Sequence, residues 1–324
     1  MLSFVKSVVE NGGSIHPIVI PAALTNGTGI FNPSVYNDNG KVVVNVRHCQ
    51  VTLYHAEKCK YEHQWGPLLY MNPENDITLT TTNYFCTLDV NYNLATYHKV
   101  DTSELDVPPI WEFRGLEDCR PVRWNDKLYL CGVRRDWNTT GQGRMELSEI
   151  VQTKNGVKEV SRFRIPAPGA NDSYCEKNWM PILDRPFQYV KWTSPTEVVQ
   201  VYPELNKTHT IFQGHQQALV EKGLRGGSHV IPFGDYYISL VHEVDLWYNE
   251  LNRKNSWYHH RFVVWDKTFN LLRVSEPFNF MGAEVEFCAG MCEHNGNILI
   301  SFGFQDNAAF VLRCPKYLIE DMIS

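Results

Sequence analysis

No stretch of this 324-residue sequence approaches the roughly 18 uninterrupted apolar residues of a membrane-crossing helix, so none is expected. The opening MLSFVKSVVENGGSIHPIVI lacks the apolar centre and small-residue cleavage site of a secretory leader, and the expected location is cytoplasmic. Positive charge is in deficit. Lys and Arg total 30 against 36 Asp and Glu, a net charge of −6, so no global basic field draws the chain to nucleic acid. A nucleic-acid acceptor would need a local basic groove. Cys-x-x-Cys pairs are missing too. The nine cysteines are scattered, and Cys288 and Cys292 lack partners at zinc-finger spacing, so reduced, mostly buried thiols are expected. There is no His-Glu-x-x-His, and His259-His260 has no carboxylates at zinc spacing, so no metal site is expected. The glycines of GTGIF and RGGS fit neither a phosphate-binding loop nor a dinucleotide fingerprint, and no cofactor is expected.

What is present is aromatic and β-like. There are 16 Tyr, 16 Phe and 9 Trp, and 43% of residues are hydrophobic. Apolar residues alternate in short runs broken by Asn, Asp, Gly and Pro, the period of strands rather than helices. No composition shift marks a linker, so residues 1–324 are expected to form one domain.

Five similar units emerge: Phe31 to Arg47, Phe113 to Leu130, the stretch from Glu176, Arg225 to Glu243, and Glu286 to Arg313. Each runs from polar or small residues into an apolar strand, a turn (NDNG, WND, LDRP, FGD, EHNG) and a second apolar strand. The third copy is the weakest. Tyr84 to His98 and Arg261 to Phe278 match each other as outer-strand pairs. Starts at Asn32, Glu117, Glu176, Gly226 and Glu286 lie 85, 59, 50 and 60 residues apart. Propeller blades of four strands take about 40 to 50 residues. The excess in the first gap is read as an inserted loop, residues 56–76. The expected fold is all-β, a five-bladed β-propeller. The apolar run Ile15 to Leu24 is placed to close it by pairing with the last blade, which removes exposed sheet edges. A β-sandwich is the alternative, and it leaves five copies unexplained.

The most chemical stretch is FRGLEDCRPVRWNDKLYL, where Glu117 and Asp118 stand between Arg114 and Arg120. GLEDCR resembles the Gly-x-Glu-Asp-Pro-Arg signature of glycoside hydrolase family 130, the inverting β-mannoside phosphorylases and hydrolases. FNPSV, EKNWMP, GGS with a strand ending at His242, and FGFQDNA resemble the markers of that family's other blades. The resemblance implies that Asp118 is the general acid, acting through a sugar hydroxyl. It implies that Glu117 and Arg120 shape the sugar site, that Asn32 and Asp306 line the channel, and that Lys177 and Asn178 carry the third marker. There are two departures: Cys119 replaces the signature proline, and Lys191-Trp192 stands where phosphorylases carry a phosphate-holding His-Arg pair.

The residues support the same set. Glycosyl transfer needs a proton donor or acceptor at the bridging oxygen. Arg47, Arg114, Arg120, Arg134, Arg135 and Lys177 suit phosphate oxygens. His242 suits a hydroxyl or a phosphate, and Glu286, which opens the fifth unit, joins the substrate-binding set. Strand alternation would point Glu117 away from Asp118. The expected partners are a sugar donor, as a sugar phosphate or nucleotide sugar, and a hydroxyl-bearing acceptor such as a glycan. The first expectation is therefore an inverting glycosyltransferase. Its alternatives are a β-mannoside phosphorylase or hydrolase, and a propeller that only binds glycans.

Overall fold

The structure is a computed structural model; it describes residues 3–53, 62–63, 66–70, 78–169, 173–214, 223–248, 250, 252 and 254–324. Most of the inserted loop 56–76 lies outside those residues. Strand dominates, and the helices Phe4–Glu10 and Lys316–Met322 are short. The all-β expectation holds.

Hairpins form where the turn chemistry asks for them. Asn39-Gly40, Asn125-Asp126 and Asn295-Gly296 all have positive φ. They join strands paired as Asp38↔Lys41, Trp124↔Lys127 and His294↔Asn297. Two-residue loops of this kind match the right-handed twist of the strands they connect, and Asn, Asp and Gly tolerate the left-handed backbone.

These hairpins build antiparallel arrays. One eight-stranded sheet contains two of them. Its first half is Ile30–Asp38, Lys41–His48, Thr82–Leu88 and Leu94–Asp101. Its second half is Leu116–Trp124, Lys127–Arg134, Arg144–Thr153 and Gly156–Arg164. Only a two-residue parallel pairing, Val157↔Val100 and Lys158↔Asp101, joins the halves. A third array holds Met180–Pro181, Gln188–Thr193, Thr196–Tyr202 and Lys207–Gln213. In a fourth, Arg225–Gly226 and Ile231–Phe233 both pair with Tyr236–Tyr248, followed by Lys254–Trp265 and Leu271–Val274. The fifth is Glu286–His294, Asn297–Phe304 and Ala308–Pro315, completed by Ser14–Ile18. In that last pairing Ser14 sits opposite Arg313 and Ile18 opposite Ala309, so the first strand of the chain covers the edge left by the last.

Apolar side chains from neighbouring arrays meet in separate clusters. The largest joins the fourth and fifth arrays and takes in Phe4 and Val8 of the N-terminal helix and Ile319 of the C-terminal one. Phe280 and Phe302 stack there at 4.2 Å. The first two arrays are also tied by polar groups. Buried Asn45 donates to Asn83, which donates to the Leu116 carbonyl. At the far end Arg123 forks onto Asp38 at 2.6 and 2.7 Å. Paired burial of this kind satisfies groups that would otherwise be costly inside. Eight cysteines are described, all free, and all but Cys175 are buried. Among the described residues no helix is long and apolar enough to cross a membrane, and no group of three or more His, Cys, Asp or Glu side chains is arranged to hold a metal.

Candidate active site

The leading strand of three arrays carries one extra residue at the same place. Its register slips between Phe31 and Ser34, between Glu117 and Arg120, and between Cys288 and Gly290. A bulge of this kind re-aims the side chains beside it. In the first two arrays the bulge holds Asn32 at φ 46° and Asp118 at φ 53°. Asn178 of the third array takes φ 60°. Asn and Asp tolerate this left-handed conformation better than other side chains. Asn32-Pro33 and Asp118-Cys119 therefore occupy equivalent places. Cys119 is fully buried, and its thiol donates to the Leu116 carbonyl.

The bulge brings the first two arrays together chemically. The Asn32 amide donates to Asp118 Oδ1 at 2.9 Å, and Arg47 donates to the same oxygen at 3.0 Å. Arg47 also meets Glu117 Oε2 at 3.3 Å, while Arg135 lies 3.7 Å from Glu117 Oε1. The Arg47 Nε donates to Thr81, and its guanidinium lies over the Phe31 ring at 5.2 Å. The alternation argument for Glu117 fails here. Glu117 and Asp118 do not point apart but converge on Arg47, because a left-handed residue inside a bulge breaks the two-residue period.

Burial pushes the Asp118 carboxyl up, but Arg47, the Asn32 hydrogen bond and nearby Lys177 outweigh it, and the net shift is downward. Asp118 is thus a carboxylate at neutral pH in the free protein. Burial works against the Arg47 charge too, and the two carboxylates more than restore it. A cleft of about 370 Å³ opens next to this cluster, lined by Arg47 and Glu117, the neighbours of Asp118, and by Phe31, Arg135, Tyr174 and Asp306, among others.

Residues in and next to the third and fourth arrays act on the same cluster. Lys177 is exposed and acts electrostatically on both Asp118 and His242. His242 is buried, stacks on Tyr258 at 5.5 Å and meets Phe287 edge-on at 5.0 Å. Burial, reinforced by His260, Arg225 and Lys177, holds it well below the ordinary histidine value, so it is neutral at pH 7. Its Nδ1 is buried without a hydrogen-bond partner. The Tyr258 phenol is pushed up to about 12, first by burial and then by Asp306, with Arg225 opposing. Asn178 borders the fourth array, its carbonyl against Gly226.

Four expected substrate-binding residues lie elsewhere. Arg120 runs through the interior, donating to the Gly227 carbonyl at 2.6 Å and the Asp118 carbonyl at 3.0 Å. It braces the second array against the fourth rather than facing a substrate. Arg134 is buried on Glu146 at 2.8 Å, with Asp136 at 3.5 Å. Glu286 is fully buried, and its carboxylate accepts from the backbone amides of Phe280, Met281 and Ala283, so no oxygen is left for a sugar. Arg114 lines a different cavity. Lys191, at the position of the missing His-Arg pair, is occupied by Glu197 at 3.1 Å and Glu176 at 3.9 Å.

Arg225 and Tyr258, which act electrostatically on His242 and on Asp118 and Asp306, escaped the sequence reading. Arg225 opens the fourth unit, one residue before the start at Gly226 that corresponds to Asn32, so the repeat pointed beside it. Tyr258 lies on the second strand of a hairpin 13 and 12 residues long, where no unit-start rule looks. Gly303 of the fifth array supports the cluster from behind: a Cβ there would stand 2.6 Å from Asn32 Oδ1 and 2.7 Å from its backbone nitrogen. Gly303→Ala is expected to destabilise by about 1–3 kcal/mol through overpacking. It should also displace Asn32 from Asp118. A melting curve that does not move, with full activity, would contradict this contact.

No protein-family model matches the sequence, and no curated protein matches it. Solved structures do match by fold. β-1,2-Mannobiose phosphorylase from Listeria innocua, solved with β-1,2-mannobiose, is 12% identical, with 91% of this chain and 92% of that one covered and a TM-score of 0.58. MPT-4, a mannose phosphorylase from Leishmania mexicana solved with phosphate, is 10% identical, covering 99% and 95% at a TM-score of 0.54. A structure described with the mannoside phosphorylases and hydrolases of glycoside hydrolase family 130, acting on β-1,2 linkages in Candida mannan, is 13% identical, covering 89% and 85% at 0.53. The activities these neighbours carry are phosphorolysis and hydrolysis, the alternative of the sequence reading, and not nucleotide-sugar transfer. At these identities the likeness establishes the fold: the chain has the all-β scaffold of glycoside hydrolase family 130.

Proposed function

We propose that the chain is an inverting β-mannoside phosphorylase, and that its five arrays are the blades of a single-domain five-bladed propeller with the Asp118 cleft at one end of the axis. The observation that carries the phosphorolytic reading is a pair of cations whose charge reaches Asp118, His242 and Tyr258. They are Lys177 and Arg225, and neither side chain makes an ion pair or hydrogen bond among the described residues. Every other arginine of the cluster is already held by carboxylates or carbonyls. Unpaired cations next to a neutral histidine and a tyrosine suit a phosphate dianion. They supply what the Lys191-Trp192 departure takes away.

In the reaction, a phosphate oxygen attacks the anomeric carbon, the glycosidic C–O bond breaks, and the leaving oxygen takes a proton from Asp118. The resemblance implies that a sugar hydroxyl relays it. Asp118 ends as a carboxylate on Arg47 and Asn32, the arrangement of the free protein. To begin, it must carry a proton. A phosphate dianion nearby and a sugar excluding water both raise its proton affinity. Phosphate and sugar together thus turn a resting carboxylate into an acid. A cytoplasmic setting, where phosphate and reduced thiols coexist, suits this chemistry.

Incubation with β-1,2-mannobiose tests the reading. Mannose 1-phosphate should form only when phosphate is present. Lys177→Met and Arg225→Met should each raise the KM for phosphate about tenfold or more, the loss of one charge-assisted contact. Release of free mannose independent of phosphate would replace phosphorolysis by hydrolysis at the same aspartate.

A further inference from the structure

The parallel ladder Phe113↔Leu79, Arg114↔Thr80 is a wall between two cavities. Leu79 and Phe113 line the Asp118 cleft, whereas Thr80 and Arg114 line a second cavity of about 380 Å³ between the first two arrays. Its charged lining is mostly satisfied by itself or by fully buried Glu146 behind it. Glu146 takes Arg134 at 2.8 Å and the Trp137 indole N–H at 2.9 Å. Glu159 takes Ser148 at 2.6 Å and Arg162 at 2.6 and 2.9 Å.

Two groups stand outside this pairing. The Arg114 side chain makes no ion pair or hydrogen bond among the described residues, and its Nε is buried without a partner. Asp136 uses Oδ2 to accept from the Gly115 amide at 3.1 Å, while its buried Oδ1 has only a long ionic contact with Arg134 and no hydrogen bond. An unsatisfied buried polar group costs about 1–3 kcal/mol. Val107 and Ile110, 69% and 47% exposed, add an apolar rim.

We propose that this cavity is a second binding site, distinct from the Asp118 cleft, for a phosphorylated monosaccharide. The phosphate sits on Arg114, whose fork has no competing protein carboxylate. A hydroxyl donates to Asp136 Oδ1. The apolar face of the ring lies against the Val107–Ile110 rim. A bare anion uses only the first of these contacts, and a neutral sugar only the other two. The volume lies within the usual range of small-molecule pockets.

The test is calorimetric binding of 1,5-anhydroglucitol 6-phosphate, which has no anomeric leaving group and cannot be turned over at the Asp118 cleft. The unmodified protein should bind it saturably, and inorganic phosphate should bind this site more weakly. Arg114→Gln should weaken binding about ten- to hundredfold, the loss of one charge-assisted pair. Arg114→Lys should recover part of it. Because Arg114 holds no protein partner, both variants should melt with the unmodified protein. Arg225→Gln and Asp118→Asn should leave this binding intact, which separates it from the phosphorolysis reading. Absence of saturable binding up to about 10 mM, insensitivity to Arg114→Gln, loss on Arg225→Gln, or equal binding of inorganic phosphate would each overturn it.

Discussion

Asp118→Asn should abolish turnover, by about 10³-fold or more, while the protein stays folded and still binds β-1,2-mannobiose. A positioned general acid contributes about 10²–10⁴ in rate, and an amide can neither carry nor return the proton. The fold should tolerate the change for a reason visible in the first array: the equivalent bulge residue there is already an asparagine, Asn32, in the same left-handed conformation. The Arg47–Glu117 contact survives the substitution. The melting temperature should therefore fall only by what the Asp118 charge contributes on Arg47, and the sugar KM should change less than kcat. A fall in kcat below about tenfold would remove Asp118 from the proton-transfer role. If the unmodified protein binds mannobiosides but never cleaves them, with or without phosphate, the scaffold is a binding propeller and there is no turnover to lose.

Much of the architecture is legible before folding because it is written in short-range chemistry. NDNG, WND and EHNG set two-residue turns, and alternating apolar runs on either side set the strands. The first strand of the chain finds the last because both are apolar edges in want of a partner. What the sequence does not carry is the bulge. Asp118 and Arg120 are two residues apart and should share a face. The extra residue between them separates their fates, so Asp118 turns to Asn32 and Arg47, and Arg120 to the interior. Glu286 misleads for another reason. Its position in the repeat is right, but the amides of the loop at 280–283 capture its carboxylate first, a contact invisible without the turn that forms it. Arg114 and Arg134 were grouped with Arg47 by charge alone. The parallel wall at Phe113–Arg114 sends one to a separate cavity, and Glu146 claims the other. Tyr258 has no signal, since its place depends on the length of its hairpin.

Arg47→Met should be the most destabilising single change at the cleft, and its effect should reverse with pH. One guanidinium, 12% exposed, faces two carboxylates that are 14% and 17% exposed. Removing it leaves adjacent like charges in a half-dry cleft, and breaking a buried pair from one side costs about 3–5 kcal/mol. Partial exposure places the expected loss near the low end, about 3 kcal/mol at pH 7. In the unmodified protein the Asp118 carboxyl lies below its unfolded value. Its ionised form therefore adds stability above the unfolded aspartate range, and that contribution is lost as pH falls through the folded value, below about pH 4. Without Arg47 the burial that pushes Asp118 up is no longer outweighed, and the folded value rises above the unfolded one. The sign of the linkage then inverts: the variant gains stability relative to its pH 7 state as acid protonates Asp118, where the unmodified protein begins to lose it. Denaturant titrations from about pH 7 to 4 should show the gap between the two proteins narrowing by most of its width. A gap that stays constant across that range would mean that Arg47 supports the cleft by packing on Phe31 rather than by its charge.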